Sequence, residues 1–188
     1  MSFLSIRTPA QARRLFLTRS GVVLSGAAVA LLAGRDALAA TAGDKTSDSK
    51  ILNTALAAEL EAIAAYQVGA ESGLLQKPVL ALAVQFQGHH KEHAEVLAKT
   101  IQKLGGKAVA AKSKYNFPVE KLKSQADVLR FAAGLEQGAV SAYLGAVPLF
   151  GNRDLSKAAA SILGDEAMHW AVLRNALGEN PVPSAFVS

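Results

Sequence analysis

The chain has 188 residues, no cysteine, an apolar fraction of 51% and a formal net charge of +5. That is room for one domain, and it excludes disulfide frameworks, thiolate zinc sites and cysteine nucleophiles. The charge is no sign of nucleic acid, because residues 1–39 hold Arg7, Arg13, Arg14, Arg19 and Arg35 against Asp36 alone, and the rest is nearly balanced; no nucleic-acid partner is expected.

The first element is a leader, residues 1–39. Arg13-Arg14 precedes Leu15-Phe16-Leu17, an apolar run follows over residues 20–34, and the small-residue pattern Ala37-Leu38-Ala39 closes it. The run is short and rich in Ala and Gly for a membrane span of about 20 residues. "ARRLFLT" resembles a twin-arginine (Tat) export signal, with Ala12 where Ser or Thr is usual and Thr18 where Lys is common. That resemblance implies the Tat export machinery as a partner, cleavage after Ala39, a periplasmic or otherwise exported protein, and no stable membrane span after cleavage. An uncleaved N-terminal anchor is the alternative.

Residues 40–47 are small and polar and read as a linker. Four helices are predicted after it, and no strands, since β-branched and aromatic runs are nearly absent. The first spans about residues 48–73, with Ile51, Leu52, Ala55, Leu56, Glu59, Ile63 and Tyr66 at helical spacing. The second spans about residues 77–104, opened by Pro78 and stopped by Gly105-Gly106; Leu82, Phe86, His90, His93, Leu97 and Ile101 form its stripe. A long connection with Pro118 follows. The third helix covers about residues 124–148, with Leu129, Ala132, Leu135 or Glu136, Ala139 and Tyr143 on one face. The fourth starts near Asp154 as N-cap and runs to Gly178, with Ile162, Glu166, His169, Leu173 and Leu177 in line. The tail, residues 179–188, contains two prolines. Short links within each pair and a long link between pairs describe an all-α four-helix bundle with a crossover between helices two and three.

The two halves repeat. "ELEAIAAY" (residues 59–66) echoes "EQGAVSAY" (residues 136–143), and "HKEHAEVL" (residues 90–97) echoes "EAMHWAVL" (residues 166–173). A glutamate on an apolar helical face is costly to bury unless it is paired or bound to a cation. Residues three apart share a helix face, so Glu166 with His169, and His90 with His93, point inward together. Glu59, His90, His93, Glu136, Glu166 and His169 thus converge, a donor set suited to iron, manganese or zinc. His89, about 100° round the helix from His90, is expected at the surface or supporting the ligands, where adventitious metal binding is the bland reading. Glu92 and Glu95 lie off the His90/His93 face, and Glu61 is expected in solvent. Tyr66 and Tyr143 read as core aromatics with a hydroxyl partner, and a radical or electron relay is the sharper alternative. Trp170 reads as packing.

Over residues 48–178 the chain resembles the ferritin-like superfamily, in particular its exported bacterial ferritin-like domain proteins. The resemblance implies one Glu from each of two helices and a Glu-x-x-His from each of the other two, around a di-iron or di-manganese pair. Glu59 and Glu136 match the single glutamates, Glu166 and His169 one full Glu-x-x-His, and His93 the other histidine. His90 departs: it stands where the family has a glutamate that commonly bridges the metals. One or two non-haem ions, iron or manganese, are therefore open. The implied chemistry is oxidation of ferrous iron or consumption of oxygen or peroxide. The alternative is a non-catalytic structural, stress-protection or metal-binding protein with a degenerate site. A monomer or homodimer is expected rather than a storage cage.

Overall fold

The computed structural model describes residues 45–187; the leader and the first part of the predicted linker lie outside them. Four helices account for most of this span: α1 (Lys45–Glu71), α2 (Lys77–Lys103), α3 (Gln125–Ala146) and α4 (Arg153–Ala176). No strand occurs among the described residues. The α1/α2 and α3/α4 pairs are hairpins with short links, and residues 104–124 make the crossover, interrupted by a 3-10 turn at Val119–Lys121.

Each helix boundary has a local cause. Gly73 and Gly105 take φ of 71° and 83° beyond α1 and α2, a left-handed conformation that costs glycine little and other residues more. Pro78 sits in the first turn of α2, where its missing N–H is not needed. The Ser124 hydroxyl accepts from the Asp127 backbone N–H at 3.2 Å and caps α3. At α4 the cap is Asn152, whose side chain accepts from the Asp154 N–H at 2.8 Å. Asp154, expected as the cap, lies in the first turn instead, where its charge suits the helix dipole.

The helix α1 begins earlier than expected, since Lys45–Ser47 belong to it rather than to a linker. Asp48 supplies a reason. It is buried, and its carboxylate accepts from the backbone N–H groups of Gly151 (2.9 Å) and Asn152 (3.1 Å) in the α3/α4 link. The start of α1 is thereby tied to the far hairpin. Leaving those N–H groups unsatisfied would cost about 1–3 kcal/mol each. The crossover is held in a similar way: Asn53 on α1 donates to the Lys107 carbonyl at 3.1 Å and accepts from the Val109 N–H at 2.8 Å.

The core is split along the bundle axis. One apolar cluster gathers Leu52, Leu56, Ala94, Leu97, Ile101, Tyr143, Phe150, Ala159 and Ile162. The other gathers Tyr66, Ala83, Phe86, Leu129, Ala132, Ala133 and Leu173. Between them, in register on all four helices, lie Glu59, His90, Glu136, Glu166 and His169, each at most 3% exposed. Apolar clusters above and below close the two ends of this polar layer, and its burial gives its electrostatics their strength.

Candidate metal centre

All six sequence-predicted residues come together. His90 stands in the middle: its Nδ1 lies 2.8 Å from Glu59 Oε2 and its Nε2 3.3 Å from Glu136 Oε1. Glu166 lies between the other two histidines, Oε1 at 3.1 Å from His93 Nδ1 and Oε2 at 3.4 Å from His169 Nδ1. Two groups have ligand atoms close enough for one ion each: Glu59, His90, His93 and Glu166, and His90, Glu136, Glu166 and His169. His90 and Glu166 belong to both. His93 is the most open member, with its side chain 15% exposed.

The tyrosines cross between the halves. Tyr143 on α3 donates to Glu59 Oε1 on α1 at 2.6 Å, while Tyr66 on α1 donates to Glu136 Oε1 on α3 in a short contact. Each hydroxyl fixes one oxygen of the opposite glutamate. This is the hydroxyl-partner reading of the sequence, with a reciprocity the sequence did not show. Burial, then the adjoining glutamate, pushes both phenols well above their ordinary range, so both remain O–H donors.

The charges balance without an ion. Burial lowers the affinity of His90 for a proton, but hydrogen bonds to Glu136 and Glu59 outweigh it and push the imidazole up to about 11. Burial likewise opposes, and Glu166 and Glu59 overcome, at His93, which rises to about 10; Glu136 and Glu166 raise His169 to about 9 against its burial. Burial would raise Glu136, yet His169 and His90 hold it well below the usual carboxylate range. Three imidazolium ions thus face three carboxylates.

Charge balance leaves hydrogen bonding incomplete. His93 Nδ1, Glu136 Oε2, both oxygens of Glu166 and His169 Nδ1 are buried with no hydrogen-bond partner. Glu166 lies within ion-pairing distance of the histidines but out of hydrogen-bond alignment. Buried polar atoms are normally satisfied. Five orphans, all oxygen or imidazole nitrogen and all from the converging residues, match what a cation would satisfy.

Asp165 is the functional candidate that sequence reasoning missed. Its Oδ2 lies 3.3 Å from His169 Nε2 and 3.4 Å from His93 Nε2. A carboxylate there orients both rings and leaves each Nδ1 aimed inward, as supports of metal-bound histidines do. The available signal was position: Asp165 is four residues before His169, one helical turn. His89, expected at the surface or in support, is one-third exposed and reaches His169 Nε2 at 2.8 Å. Glu92 and Glu95 are exposed, as expected, and Glu95 pairs with Lys99. Trp170 packs on the second apolar cluster, with Arg174 over its ring. Glu61 is buried rather than solvated. It lines a cleft between α1 and α3, because α1 packs on two neighbours and its buried arc is wider than one stripe. That cleft, with a cavity of ≈ 60 Å³, is walled by Ala55, Ala58, Ala62, Ala139 and Ala142 and reaches Glu59, His90 and Glu136.

Fold and site together define a class: a four-helix bundle with a buried histidine–carboxylate group that can hold a metal ion. The chain belongs to the ferritin-like domain family, whose profile matches residues 47–179. Its fold is similar to that of a conserved hypothetical protein, rv2844, from Mycobacterium tuberculosis. The TM-score is 0.65 at 24% identity, over 76% of this chain and 99% of that one. No curated protein matches the chain.

Proposed function

We propose that this is an exported ferritin-like protein that holds a non-haem iron or manganese ion in the bundle interior. The five orphaned buried atoms carry the reading, and the oxygen and imidazole donor set suits these metals. Four of the orphans, Glu136 Oε2, both oxygens of Glu166 and His169 Nδ1, belong to the same four-residue group. His90 completes that group. A neutral imidazole that donates Nδ1–H to Glu59 Oε2 at 2.8 Å keeps its Nε2 lone pair for the group containing Glu136. The primary ion is therefore assigned to His90, Glu136, Glu166 and His169. Glu59 orients His90, and a second, weaker position is left at His93, Glu166 and Glu59. The site is asymmetric because histidine replaces the bridging glutamate.

A bound iron or manganese ion would supply one-electron chemistry toward ferrous iron, oxygen or peroxide. The chain's own residues contribute a neutralising carboxylate set, two tyrosine donors that hold Glu59 and Glu136, apolar clusters above and below the polar layer, and an alanine-walled cleft that reaches Glu59, His90 and Glu136. Export rests on the Arg13-Arg14 leader; no helix among the described residues is long and apolar enough to cross a membrane.

A rival reading has its own observation. Three imidazolium ions already neutralise three carboxylates, so the same residues suit a metal-free bundle with a structural or protective role. Metal analysis of the untagged protein separates the two. About one tightly held transition ion per chain, lost in Glu166→Ala, supports the proposal. No metal after iron or manganese loading, with wild-type and variant alike, refutes it.

A further inference from the structure

We infer that His89, Asp165 and His169 form a second cation site, facing solvent, through which a divalent ion passes to the interior. Three ligand atoms meet there: His89 Nδ1, His169 Nε2 and Asp165 Oδ2, separated by 2.8, 3.2 and 3.3 Å. A tetrahedral ion with bonds of about 2.0–2.1 Å keeps its ligands roughly 3.3 Å apart. The three atoms therefore suit one face of such a tetrahedron and leave a fourth position for water or another ligand. The side chains of His89 and Asp165 are 34% and 22% exposed, whereas that of His169 is 2% exposed. The group thus runs from solvent to the interior within one set of contacts. Phe86 walls it, stacking on His169 with ring centroids 4.1 Å apart.

His169 joins the two positions. Its Nε2 faces His89 and Asp165 while its Nδ1 faces Glu136 and Glu166. A neutral imidazole has one lone pair, so His169 serves the outer ion through Nε2 or the inner ion through Nδ1 in turn. An ion that moves inward displaces the Nδ1 proton, and Nε2, freed of the outer ion, takes up one proton in its place and donates a hydrogen bond to Asp165, so the ring stays neutral with no net proton lost. Asp165 also lies 3.4 Å from His93 Nε2, so it faces both histidines behind which the ion settles. The outer site stands on its own geometry; its loading role rests on the metal-holding reading above.

Cobalt(II), which reports tetrahedral N/O ligation by absorption, tests this on the untagged full chain. Rapid mixing with wild-type protein should give a fast tetrahedral phase followed by a slower phase as the interior fills. His89→Ala, at a partly exposed position, should lose the fast phase and fill the interior roughly tenfold more slowly, with the same final interior spectrum. Glu136→Ala should keep the fast phase and lose the slow one. If His89 only supports the ligands, His89→Ala would lower interior affinity about 10–100-fold while keeping both phases, and the outer site is then overturned. It is also overturned if the variant and wild type bind the same number of ions at the same rate. A wild-type protein with only the His89-dependent phase would uphold the outer site and refute interior metal binding instead.

Discussion

Positions 90 and 166 are equivalents in the two hairpins, three residues before His93 and His169, and they behave as opposites. His90 is satisfied on both sides, by Glu59 and by Glu136. Glu166, at the same depth and among three histidines, has neither oxygen in a hydrogen bond. One repeat position has become a donor that cross-links the glutamates of α1 and α3, and the other remains an open acceptor. The pair shows that register fixes where a side chain points, while its chemistry fixes whether it closes a site or leaves it open.

The comparison breaks most readily at Glu166. Glu166→Ala removes the only residue among those described that offers two orphaned atoms, and transition-metal affinity should fall by more than the roughly 100-fold that loss of a supporting residue can cause; metal titration checks it. His90→Glu sharpens the contrast by making the two positions alike. It adds a fourth carboxylate to the polar layer and removes an imidazole, so the metal-free protein should lose about 3–5 kcal/mol, as when one partner of a buried ion pair is removed. Ion loading should restore that loss and raise the stoichiometry toward two. Denaturant titration with and without metal reads both.

Protonation offers a third test. Imidazolium has no lone pair for a metal, so loading must displace protons. The three interior histidines hold theirs up to about 9, 10 and 11. Affinity should therefore rise with pH from 6 to 9, about tenfold per pH unit for each proton released, and calorimetry in buffers of different ionisation heat counts those protons. The stability of the metal-free protein should move the other way. Folded pKa values raised above 6.5 contribute stability that is fully present below that pH and is lost as pH rises through 9 to 11. The smallest effect lies with the tyrosines. Tyr143→Phe strands Glu59 Oε1 and should cost about 1–3 kcal/mol without metal, whereas Tyr66→Phe should cost less, because Glu136 Oε1 keeps His90 Nε2 at 3.3 Å. Thermal unfolding of the two variants reads the difference; equal losses would show that His90 does not hold Glu136 Oε1 when Tyr66 is gone.

Much of this was legible in the chain. Glu59 and Tyr66 recur as Glu136 and Tyr143 with one spacing, and His93 recurs as His169. A helix converts spacing directly into direction, so the four inward faces and the bundle itself could be read. Asp165 carried only a faint signal, its place one turn before His169. One residue from Glu166, it sits off the apolar stripe, and its value comes from His93 on α2, which periodicity within α4 does not contain. Glu61 was misjudged for a related reason: burial on two sides of α1 depends on which neighbours flank it.

The sequence by itself determined the four helices, their long crossover, the polar layer between apolar stretches and the substitution of histidine at position 90. All of these follow from a 3.6-residue period, from residues that stop helices, and from residue type. Only the tertiary structure decided that Tyr143 meets Glu59 and Tyr66 meets Glu136, that His90 contacts both glutamates, and that His169 turns one nitrogen inward and one toward His89. Those are relations between helices. They depend on rotation and approach distance within a few ångströms, which the packing of side chains across the whole bundle sets and no single helix encodes.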